Sequence, residues 1–90
     1  MKRTDILADA NCAITQDRAK TYGAAEDNFS AIADAWAWWL GADVTAHDVG
    51  MMMTLFKAAR IRSNPAHADS YVDLAGYAAL AGEIATEGEA

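Results

Sequence analysis

An all-α fold, a compact bundle of about four helices, follows from three features of the sequence. One proline, Pro65, interrupts 90 residues, and apolar/polar alternation of strand period persists nowhere. Apolar residues instead recur at three- and four-residue spacing in four segments. Between those segments stand Gly23, Gly41 and Asn64-Pro65, residues that end helices.

The first helix is expected from about Asp5 to Lys20. Ile6, Ala10, Ala13 and Ile14 share a face, and Thr4 can cap its start. Gly23 ends it, because glycine takes the left-handed conformation without steric cost. The second helix runs from about Ala25 to Leu40. Phe29, Ile32, Ala33, Trp36 and Leu40 form its stripe at about 100° per residue, with Trp39 at the edge and Trp38 opposite. Gly41 ends it. The third helix opens on "TAHD", in which Thr45 and Asp48 have the spacing of a capping box. It continues to about Arg62 with Val49, Met52, Met53, Phe56 and Ala59 as its apolar face. Asn64-Pro65 breaks the chain. The fourth helix begins there or at Ser70 and runs to about Ile84, with Val72, Ala75, Gly76, Ala79 and Glu83 in line. Residues from about 85 to 90 read as a frayed tail of one helical domain spanning 1–90.

Composition narrows the function. Apolar residues make up 53% of the chain, with 3 Trp and 4 Met. A domain this small buries only about 60% of its unfolded surface, so that apolar content predicts a homo-oligomer, a dimer or larger. Trp38 and Met51 lie off the core stripes and are expected at the contact. Net charge is −6, with 7 basic against 13 acidic residues, which argues against DNA binding, since that depends on many Lys/Arg–phosphate contacts. No apolar run approaches the roughly 20 residues that span a bilayer. "MKRTDILADANCAI" is broken by Asp5, Asp9 and Asn11 before a leader-like run forms. The expected location is the cytoplasm. Cys12 stands alone and is expected as a buried, inert thiol; His47 and His67 have no metal-type spacing.

Chemistry concentrates in "FKAARIRSNPAHADSYVDLAGY". Lys57 and Arg60 precede the proline turn; His67, Asp69, Asp73 and Tyr77 follow it. Arg60 falls within about 20° of the stripe set by Val49 and Phe56, so one use for it is an ion pair with Asp73 that ties the last two helices. The other use is a pocket wall where Lys57 and Arg60 meet phosphate oxygens, Arg with two parallel hydrogen bonds. Asp69, Asp73 and Tyr77 are spaced i, i+4, i+8. The two carboxylates could share a Mg²⁺ ion, or Asp73 could cap with Ser70, and Tyr77 could simply pack. Arg18 and Tyr22 in "DRAKTYG" complete the candidate ligand site, Tyr22 as a ring that stacks on a base.

The combination Arg18, Tyr22-Gly23, Asn28-Phe29, Lys57, Arg60, His67, Asp69-Ser70, Asp73 and Gly76-Tyr77 resembles a family of small uncharacterised bacteriophage and prophage proteins, over about Ile6 to Leu80. More distantly the chain is similar to the MazG-like all-α nucleoside triphosphate pyrophosphohydrolases. The first resemblance implies a phage-encoded protein in the host cytoplasm. The second implies a nucleotide substrate and Mg²⁺ held by acidic helix pairs. This chain offers Asp69-x-x-x-Asp73, with Glu26 as the further acid, in place of that family's Glu-x-x-Glu and Glu-x-x-Asp. Three functions are compatible with these residues. One is binding, without a required cofactor, of a nucleotide or nucleotide-derived phosphorylated ligand, such as a sequestered host signal. The second is Mg²⁺-dependent pyrophosphohydrolysis, with Glu26, Asp69 and Asp73 as metal ligands. The third is a helical protein–protein interaction module.

Overall fold

The computed structural model describes residues 1–17 and 25–87. The fold is all-α: α1 is Arg3–Cys12, continued by one π-helical turn at Ala13–Asp17; α2 is Ala25–Leu40, α3 Ala46–Ser63 and α4 Ala68–Thr86. The central unit is the α3–α4 hairpin; α2 lies against α3, and α1 lies against α4.

Helix ends follow local chemistry. α1 starts one residue before Thr4, and the backbone N–H of Lys2 donates to Asp5 Oδ2 at 3.1 Å; Thr4 is inside the helix rather than its cap. Gly41 closes α2 with φ of 67°, its N–H donating to the Ala37 carbonyl at 2.9 Å. At α3 the expected capping box is present: Asp48 N–H donates to Thr45 Oγ1 at 3.0 Å, and Thr45 N–H donates to Asp48 Oδ2 at 2.9 Å. α4 begins at Ala68 with His67 as its N-cap residue, so Pro65 belongs to the turn and Ser70 to the helix, where neither it nor Asp73 caps.

Phe29, Ala33, Val49, Leu80 and Ile84 form the core. Phe29 and Val49 are fully enclosed, and enclosing a phenylalanine side chain stabilises by about 3 kcal/mol. The helices approach closely where side chains vanish. A methyl placed on Gly50 would lie 2.8 Å from Ala81 Cβ and 3.4 Å from Phe29 Cε2, and one on Gly76 would lie 3.0 Å from Ile14 Cγ2. These approaches set the phase of both central helices. α3 turns Val49, Gly50, Met53 and Lys57 inward and leaves Met52, Phe56 and Ala59 exposed. α4 buries Val72, Gly76, Leu80, Ala81 and Ile84, with Ala79 and Glu83 outside. Cys12 is exposed, its Sγ 3.7 Å from Gln16 Oε1, because it lies off the Ile6–Ala10–Ile14 face. Among the described residues no helix is long and apolar enough to cross a membrane.

Candidate functional site

The turn between α3 and α4 is built by its own polar groups. Asn64 N–H donates to the Arg60 carbonyl at 3.0 Å and His67 N–H to the Asn64 carbonyl at 3.2 Å. Tyr71 Oη donates to the Pro65 carbonyl at 2.8 Å, and His67 Nδ1 lies 3.0 Å from Ser70 Oγ. Ser70 is buried, so its hydroxyl fixes the imidazole from inside the fold.

This turn folds α4 back along α3, and a cleft of about 290 Å³ opens beside it, lined by Lys57, Arg60, Ser63, Asn64, His67 and Ser70. Lys57, Arg60 and His67 are thus brought together as the sequence led one to expect. Lys57 Nζ and Arg60 Cζ lie 5.5 and 5.3 Å from the centroid of the Phe56 ring. Both cations therefore lie beside one aromatic ring, each contact attractive by about 0.5–1 kcal/mol at exposed positions. The N-terminal end of α4 adds its positive dipole end.

The ion pair that ties the two helices differs from the expected one. Lys57 Nζ, not Arg60, meets Asp73 Oδ2, at 2.9 Å. The Gly50–Ala81 approach rotates α3 so that Lys57 faces α4, and Arg60 is left exposed. The remaining candidates are dispersed. Asp69 is exposed and does not line the cleft. Tyr77 is half-buried toward the core, its ring 6.3 Å from that of Phe29. Arg18 and Tyr22 lie outside the described residues. Glu26 lines a second cleft of about 440 Å³ with Ser30, Thr45, His47 and Ile84. Ile84 is 15 residues from Asp69, about 22 Å along α4, so Glu26 is not assembled with Asp69 and Asp73. Among the described residues no group of three His, Cys, Asp or Glu side chains is arranged to hold a metal ion.

Electrostatics separate the two clefts. The second carries Glu26 and the capping carboxylate of Asp48 nearby. Hydrogen bonds from the Thr45 backbone N–H and hydroxyl region, with a smaller contribution from His47, hold that carboxyl below its ordinary range. The first carries the basic side chains of Lys57 and Arg60 on a chain of net charge −6. Ser63, Asn64 and Ser70 are site residues the sequence reading passed over. Their signal is modest: polar side chains on both sides of a proline turn whose flanks are cationic.

Comparison with known proteins adds the family. Residues 5–85 match the model described as Domain of unknown function (DUF6378). The chain is 43% identical over 76 residues to the Gene 55 protein of Mycobacterium phage L5, covering 83% of this chain and 49% of that protein. It is 37% identical over 82 residues to the Gene 55 protein of Mycobacterium phage D29, covering 91% of this chain and 54% of that protein. The chain thus spans about half the length of the curated relatives it matches. No solved structure matches. The chain belongs to the DUF6378 family, and its relatives are phage proteins.

Proposed function

We propose that this DUF6378 protein binds a small phosphorylated molecule of the nucleotide class in the cleft at the α3–α4 turn, and that it works in the cytoplasm of a phage-infected host. The observation that carries this reading is the convergence of Lys57, Arg60 and His67 on one cleft of about 290 Å³ in an acidic chain. Exposed Arg60 is available to give two parallel hydrogen bonds to a phosphate. Lys57 supplies a point charge, and His67, Ser63 and Asn64 supply further donors. No metal or cofactor is needed for such binding. A Mg²⁺-dependent pyrophosphohydrolase has less support, because Glu26 stands apart from Asp69 and Asp73.

Calorimetric titration with ATP, ADP, cyclic nucleotides and ADP-ribose, each with and without Mg²⁺, tests the proposal. At least one ligand is expected to bind without Mg²⁺. Arg60→Ala should weaken that binding about 10- to 100-fold, the equivalent of about 1.5–3 kcal/mol for a charged hydrogen bond. Silence across the panel, or unchanged affinity in Arg60→Ala, overturns it.

A further inference from the structure

The solvent face of α3 carries a second pattern, unrelated to the cleft. Asp48, Leu55 and Arg62 are seven residues apart; Met51 and Met52 fill the first interval and Ala58 and Ala59 the second. A 3-4 spacing of apolar residues is the seam of a coiled coil, yet within one chain all seven of these residues are exposed. Leu55, at the centre, is 64% exposed. The face continues into α2, since Met52 shares an apolar cleft of about 250 Å³ with Trp36, Trp39 and Leu40. The ring of Trp38 lies 6.3 Å from that of Trp39.

We propose that this face pairs with a second copy of the chain, α3 against α3, antiparallel about a two-fold axis at Leu55. The order of residues is self-complementary only in that arrangement. Positions equidistant from Leu55 come to the same level, so Leu55 meets its own counterpart. The bulky Met51 and Met52 of one copy face the small Ala58 and Ala59 of the other, and Asp48 at one end comes level with Arg62 at the other. A parallel pairing would instead stack methionine on methionine and set Asp48 against Asp48 and Arg62 against Arg62. The area agrees. The exposed parts of Trp38, Trp39, Leu40, Met51, Met52 and Leu55 sum to on the order of 700 Å², taking about 200 Å² for each full side chain. That exceeds the roughly 300–600 Å² of the largest apolar patch on a typical monomer and approaches the share of one partner in a standard interface of about 1,600 Å². A two-fold contact uses the same patch on both copies and closes without leaving an open edge.

Light scattering of the full chain across a dilution series is expected to give twice the mass of one chain at tens of micromolar, and Leu55→Asp to give one chain mass with an unchanged helical circular-dichroism spectrum. In a Cys12→Ser background, Leu55→Cys should oxidise to a covalent dimer. A mixture of Met51→Cys and Ala59→Cys chains, whose positions come level in this arrangement, should cross-link to each other faster than either does to itself. A wild-type mass of one chain at all concentrations overturns the pairing. So does a Leu55→Asp variant that remains dimeric, or a dimer in which Leu55→Cys fails to cross-link. If Leu55→Asp does not fold, the cross-linking of Leu55→Cys decides alone.

Discussion

Replacing Gly50 by alanine tests whether the α3–α4 approach sets the geometry of the whole chain. Two effects oppose each other. Alanine is about 1 kcal/mol better than glycine inside a helix. Against that, the new methyl would lie 2.8 Å from Ala81 Cβ and 3.2 Å from Ala81 Cα. Neither atom belongs to a flexible side chain, so the two helices must part, and overpacking of this kind costs about 1–3 kcal/mol. Gly82 supplies the control. It lies in α4, where a methyl meets nothing within 4 Å, so Gly82→Ala keeps the propensity gain without the clash. The difference between the two variants is then the packing cost alone, about 1–3 kcal/mol, which for a domain of this size is about 4–8 °C in Tm for each kcal/mol. Thermal unfolding followed by circular dichroism, at one fixed protein concentration, measures it. Gly82→Ala should melt above wild type and Gly50→Ala below Gly82→Ala by several degrees. Equal melting temperatures for the two alanine variants would refute the inference that Gly50 is where the helices touch.

Three further outcomes are expected. Arg60→Ala should lower stability by no more than about 1 kcal/mol, the scale of an exposed cation–π contact; an unfolding free energy from urea titration lower by several kcal/mol would mean that Arg60 is buried after all. Asp73→Asn should likewise cost no more than about 1 kcal/mol, since Asp73 is 42% exposed, and a double-mutant cycle with Lys57→Met should assign the coupling to that pair and not to Arg60. Thr45→Ala should cost about 1 kcal/mol through loss of the cap. The Asp48 carboxyl is lowered by the same motif, so its contribution is complete above the ordinary aspartate pKa of about 3.9 and fades as pH falls through the lower folded value. Wild-type stability should therefore fall with acidification in that window, and the Thr45→Ala variant should show a shallower fall; identical pH profiles would contradict the shared origin.

How much was legible in the sequence differs from helix to helix. α2 is legible in its stripe and in its close at Gly41, because Phe29, Ile32 and Trp36 are large and Asp27, Ser30 and Asp34 mark the other side. α3 was legible in its cap and extent but not in its phase. Val49, Met51, Met52, Met53, Leu55 and Phe56 together span about 200° of its circumference at about 100° per residue, so hydrophobicity alone does not choose an inward side; the missing side chain of Gly50 does. The same rotation moved the helix-tying ion pair from Arg60 to Lys57. In α4, alanine and glycine at 75, 76, 78, 79, 81 and 82 give little contrast around the helix, and the buried side is decided by Leu80 and Ile84. The π-helical turn at Ala13–Asp17 corresponds to no residue type that announces it. Of the candidate site, the cationic flank and His67 were legible because they crowd one turn. The roles of Ser63, Asn64 and Ser70 depend on how that turn closes, which is a tertiary property.

The 2.9 Å contact between Lys57 and Asp73 has a meaning beyond joining two helices. On the function proposed above, an anion approaching Lys57 would find a carboxylate already beside it as an internal counter-ion. A group bringing two negative charges and several acceptor oxygens would engage Arg60 and Lys57 together and compete with that carboxylate better than a single monovalent charge would, releasing the 42% exposed Asp73 to water. The tether between the helices would then set a threshold on charge density at the cleft.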